Sequence, residues 1–161
     1  MFKGDPYKQK GCPYDRKCAV GNKAICTQQR TIYQLVCLVC KEEKREDRRD
    51  GNRQVAVYRG QSGHTSHKRC LEHLDSIRRG DTTSGMGAHI REAHPEVDVT
   101  NPGEVIEMTI IDQRDKNMER GIAEAVLIGK TEEGGEYIVT NRKSEWGRAP
   151  IRRLGINSSI E

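Results

Sequence analysis

Short apolar runs punctuate a chain that is otherwise polar, and their period changes along its length. Thr31 to Val39 is rich in β-branched and aromatic residues with polar flanks, which predicts a buried strand over 31–39. Gln54 to Tyr58 alternates and ends at Gly60, predicting a second strand that pairs back on the first. Residues 41–52 between them are nearly all charged and close on Asp50-Gly51, so a loop is expected there. Cys70, Leu74 and Ile77 then recur at helical spacing. They predict a helix over 65–79, with Thr65 or Ser66 as N-cap and Gly80 just past its end. A shorter helix from Thr83 or Ser84 stops before Pro95. After a loop over 97–103, residues 104–112 predict a third strand and 115–129 another long helix. Gly134-Gly135 reads as a turn and Tyr137 to Val139 as a short extended piece. This order describes an α+β fold, a small sheet of about three strands flanked by helices.

Composition shows how thin the core is. Only 34% of the 161 residues are apolar, with one Phe and one Trp, while 32% are charged. A sparse core of this kind benefits from a staple such as a metal. The net charge of +4, from 28 basic and 24 acidic residues, is too mild to argue for nucleic acid by itself. No apolar run is long enough for a membrane span, and Met1 to Asp5 does not open a secretory leader. An intracellular, nuclear location is expected, and the six cysteines are expected as reduced thiols, metal ligands rather than disulfides.

Cys37-x2-Cys40 at the end of the first strand and His89-x4-His94 near the end of the shorter helix supply two thiolates and two imidazoles, a zinc set. His89 and His94 lie about 140° apart on a regular helix, so His94 is expected at the frayed end, folding back before Pro95. Four protein ligands would make such a zinc structural rather than catalytic. The ordinary alternative is a buried cysteine pair and two surface histidines. Cys12, Cys18 and Cys26 are one ligand short of a second zinc site. His64, His67 or a residue from another domain would complete it; otherwise they are free thiols.

Around the two candidate metal-ligand pairs the residues resemble a known family. Thr31-Ile32-Tyr33 followed by Tyr58-Arg59-Gly60 is similar to the paired signature of GIY-YIG endonucleases, with Thr31 where that pattern has Gly and Arg59 where it has Ile. Arg69 and His73 on the next helix, Glu124 on a later one and Asn141 near the end extend the resemblance over about residues 31–154. The placement of the Cys and His pairs resembles the endonuclease domain of Penelope-like retroelements. Residues 1–30 would then be a cysteine-bearing extension and 155–161 a tail.

The resemblance implies a divalent-metal-dependent DNA nickase whose product, a 3′-hydroxyl, primes reverse transcription. Its partners would be DNA and an upstream reverse transcriptase domain or partner, with no membrane. It implies Tyr33 as general base, with Tyr58 positioning water or phosphate. A free phenol has a pKa of about 10, so that role needs nearby cations; the commoner fate of strand tyrosines is cross-strand packing. Arg69 and His73, at i and i+4, share a helix face, and an arginine can bind two phosphoryl oxygens. Glu124 lies beside the apolar face of its helix. A carboxylate there needs a cation, either Mg²⁺ (or Mn²⁺) on a phosphate or Arg120 one turn back. Asn141 would support the site by hydrogen bonding. Arg59, Lys68, Arg142 and Lys143 are the candidate DNA contacts, acting on phosphates rather than bases. The alternative function is a catalytically inactive, zinc-stabilised nucleic-acid-binding or interaction module.

Overall fold

The computed structural model describes residues 28–47 and 53–141. Cys12, Cys18, Cys26, Arg142 and Lys143 lie outside them. Among the described residues nine elements follow one another: β1 (Thr31–Cys37), α1 (Leu38–Glu46), β2 (Val55–Ser62), α2 (Ser66–Arg78), α3 (Gly85–Ala93), a 3-10 turn (Pro102–Glu104), β3 (Ile106–Gln113), α4 (Asn117–Glu133) and β4 (Tyr137–Val139). The fold is α+β.

The sheet has four strands in the order β3-β1-β2-β4, not about three. The piece at Tyr137–Val139 becomes the fourth strand, parallel to β2. β1 pairs antiparallel with both neighbours, placing Tyr33 opposite Gly60 on β2 and Ile110 on β3. A bulge between Ile32 and Tyr33 leaves Ile111 unmatched on β3.

The expected charged loop over 41–52 is also corrected over 41–46, which are helical, while 48–52 lie outside the described residues. The strand stops at Cys37, whose Sγ accepts the backbone N–H of Cys40 at 3.4 Å and so caps α1. Lys, Glu and Arg are good helix formers, and Glu42 and Arg45 at i, i+3 form an ion pair. Charge density alone had signalled solvent exposure, which a surface helix satisfies as well as a loop does. The other helix limits follow their punctuation. Thr65 caps α2 through Lys68 N–H, Ser84 caps α3 through Gly87 N–H, and Gly80 and Gly135 take positive φ where helices have ended.

Alternation along the strands divides the core. Tyr33, Leu35 and Tyr58 pack with Cys70, Leu74 and Ile77 of α2 and with Met86 and Ile90 of α3. The intervening positions face α4: Gln61 accepts from Arg120 Nε at 3.1 Å, and Arg59 Nη2 donates to Thr131 Oγ1 at 3.1 Å. Arg120 is buried and also donates to the carbonyls of Arg114 and Asp115 and to Asn117 Oδ1, tying the start of α4 to the sheet. Among the described residues, no helix is long and apolar enough to cross a membrane.

Candidate functional site

Two clusters of chemically capable side chains flank the β1–β2 hairpin. The first is built on Tyr33. Its hydroxyl accepts from Arg69 Nε at 2.9 Å and lies 2.7 Å from His73 Nε2. The i, i+4 spacing brings both partners to it from one face of α2. Tyr58 completes the group, its ring centroid 6.4 Å from that of Tyr33 and 5.3 Å from that of His73.

Gly60 makes this arrangement possible. A Cβ there would sit 2.5 Å from Tyr33 Cζ, nearer still to the hydroxyl, and 2.9 Å from Tyr58 Cε1. The Tyr33 ring therefore lies over a position that only glycine leaves open. Thr31 is fully buried with Oγ1 3.5 Å from Ser66 Oγ, linking β1 to the first turn of α2.

Burial sets the protonation of the group. Tyr33 is 1% exposed and His73 6%. Desolvation, with a smaller push from Tyr58 and least from Glu124, outweighs the pull of Arg69 and lifts the Tyr33 phenol above the ordinary tyrosine range. Burial first and the Arg69 charge second lower His73 to about 3. Burial also opposes the Arg69 charge, but Tyr33 and Glu72, the latter 2.7 Å from Nη1, outweigh it and shift Arg69 upward. With phenol and imidazole both neutral, we assign the Tyr33 O–H as donor to His73 Nε2, giving a directed chain from Arg69 to Tyr33 to His73.

The remaining expected site residues are placed differently. Glu124 is half-buried on α4, and its charge acts on Tyr33. Asn141 sits just past β4, accepting from Arg59 N at 2.9 Å and donating to Arg59 O at 2.6 Å. Its amide thus continues the sheet pairing and holds the Tyr58-Arg59-Gly60 backbone. Arg59 is half-buried against α4, with its Nε buried and without a hydrogen-bond partner among the described residues. Its guanidinium faces Thr131 rather than the tyrosines. Lys68 is exposed on the first turn of α2, next to Arg69.

The second cluster holds Cys37, Cys40, His89 and His94, whose ligand atoms all lie within 4.8 Å of one another. Cys40 Sγ is 3.3 Å from His89 Nε2 and 3.2 Å from His94 Nε2. Zinc–ligand bonds of tetrahedral geometry would separate sulfur and nitrogen by about 3.5 Å, so the donor set fits a small divalent ion. The hydrogen bond from Cys37, then His89, a backbone group of Ala56 and His94, hold the Cys40 thiol well below its usual range against the effect of burial. Cys37, bonded to Cys40 and buried, is pushed up. Cys37 ends β1, as expected, and at the same time caps α1, while Cys40 lies in the first turn of that helix. His94 is the C-cap of α3, off the helical path as its spacing from His89 requires. This group could hold a metal ion.

No protein family, curated protein or solved structure matches the chain.

Several contributors escaped the sequence reading. Glu72 was within reach of it, since it stands at i+3 from Arg69 on a predicted helix. Asn141 was expected as a support, but its pairing with the Arg59 backbone depends on β4 joining the sheet. Gln61 and Thr131 acquire their roles only from the packing of α4.

Proposed function

We propose that this chain is a divalent-metal-dependent DNA endonuclease of GIY-YIG type that nicks a phosphodiester bond. One observation carries the reading: a tyrosine hydroxyl suspended between Arg69 and His73, over a glycine, on the two strands that bear the resembling triplets. Packing alone does not require a phenol with a cationic donor on one side and a neutral imidazole acceptor on the other.

The chain's own residues supply the proton path. As water attacks phosphorus, Tyr33 takes its proton while passing the phenolic proton to His73 Nε2, so the phenol stays neutral overall and Arg69 holds its oxygen in place. Tyr58 borders the same group and orients the attacking water or the phosphate. Glu124 would hold the Mg²⁺ (or Mn²⁺), which would supply charge to the phosphoryl oxygens. Lys68 adds a phosphate contact beside Arg69. The second cluster would hold structural Zn²⁺, clasping α3 to the start of α1. In a Penelope-like retroelement the 3′-hydroxyl left by the nick would prime reverse transcription.

The burial of Tyr33 favours a second reading, in which its hydroxyl is a structural strut and the chain is a zinc-stabilised module that binds nucleic acid or protein without cutting. Incubating supercoiled plasmid with Mg²⁺ separates the two. Nicking by the wild type with at least a hundredfold loss in Glu124→Ala and Tyr33→Phe supports the nuclease. Equal nicking by wild type and Glu124→Ala would sink the assignment, and no nicking by either leaves the module.

A further inference from the structure

The Cys/His cluster has a second layer on α1. His94 Nδ1 lies 3.5 Å from Glu43 Oε1, while its Nε2 faces Cys40 Sγ at 3.2 Å. Glu43 Oε2 is in turn 3.1 Å from Arg53 Nη2, and Arg53 Nη1 is 3.7 Å from Asp47 Oδ2. Cys40 and Glu43 stand at i, i+3 on one helix face. One turn of α1 therefore provides both a ligand and the carboxylate behind a ligand from another element. His94 is buried and Glu43 half-buried, so this pairing is less screened than the other ion pairs of α1.

We propose that Glu43 is a positioning residue for the metal centre, steered by Arg53. An imidazole that donates one N–H to a carboxylate has its tautomer and ring plane set, and its other nitrogen becomes a better ligand. Glu43 draws the His94 proton to Nδ1 and leaves Nε2 as the lone pair facing the thiolates. The inference rests on the reading of Cys37, Cys40, His89 and His94 as a zinc site.

The test is zinc affinity of the full chain, measured by competition with a chromophoric chelator. Glu43→Ala is expected to bind Zn²⁺ at least tenfold more weakly than wild type. Glu43→Gln, which keeps an acceptor but not the charge, should recover part of that loss and gives a readable variant if the alanine form folds poorly. Glu42→Gln, altered on the exposed ion pair with Arg45, should match wild type. Long-range ¹H–¹⁵N spectra of the zinc form should place the His94 proton on Nδ1. If wild type binds zinc and Glu43→Ala and Glu43→Gln bind within twofold of it, the positioning role is overturned and the metal site stands. If wild type does not bind zinc while Cys37 and Cys40 are reduced, the metal reading itself fails and takes this inference with it.

Discussion

Replacing Gly60 by alanine inserts one methyl group where the Tyr33 ring lies. The added carbon would stand 2.5 Å from Tyr33 Cζ and 2.9 Å from Tyr58 Cε1, well inside van der Waals contact. Tyr33 has little room to yield, since it is buried and bonded at its hydroxyl to Arg69 and His73. Overpacking in a closed core costs about 1–3 kcal/mol. Swinging the ring away strains or breaks hydrogen bonds worth about 1 kcal/mol each, more for the one to the cationic Arg69. The expected destabilisation is about 2–4 kcal/mol, read from urea unfolding by circular dichroism, with a Tm lower by roughly 5–15 °C. Gly129→Ala is the matched control. Its Cβ would meet nothing within 4 Å inside α4, so it should stabilise by up to about 1 kcal/mol through helix propensity. Tyr33→Ser should offset part of the Gly60→Ala cost, giving a double mutant less destabilised than the sum of the singles. A loss below about 0.5 kcal/mol for Gly60→Ala would refute the argument that the tyrosine ring requires this glycine.

Two further outcomes follow from the buried groups. His73 is depressed to about 3 when folded and returns to about 6.5 when unfolded, so the unfolded chain binds the extra proton between those values. Stability should therefore fall as pH drops below about 6.5. The His73 contribution is about 1.4 kcal/mol between pH 7.5 and 5.5, measured as the part of the wild-type pH dependence that His73→Gln removes at saturating zinc; a variant with the same slope as wild type would contradict it. Chelation is expected to lower the Tm and added Zn²⁺ to restore it, with zinc at a hundredfold excess over Kd contributing about 2.7 kcal/mol. Cys37→Ser should resemble the chelated wild type, and a Tm indifferent to both zinc and chelator would remove the structural role of the cluster.

The candidate site was legible in proportion to how local its geometry is. Arg69 and His73 are one turn apart, and that spacing alone puts them on one face of α2. The displacement of His94 from the helix was likewise readable, because the angle subtended by five residues excludes a shared face with His89. Glu43 was hidden by a single misreading. Within an expected loop it has no defined direction, whereas on α1 it stands one turn from Cys40 and behind His94. Arg59 shows the opposite case: its place in the triplet suggests an exposed basic group, and the strand alternation turns its guanidinium toward Thr131.

By itself the sequence determined the α+β class, the spacing of the Cys and His pairs and the apolar stripe of α2, because helix and strand periods and short residue spacings are properties of neighbouring residues. The tertiary structure decided that Tyr137–Val139 joins the sheet, that Asn141 pairs with the Arg59 backbone, and that Gly60 lies under Tyr33. It also decided that burial raises the phenol and lowers the imidazole from their ordinary ranges. Those outcomes depend on groups 27 to 82 residues apart meeting in a water-poor interior, and neither register nor desolvation is encoded by a residue's immediate neighbours.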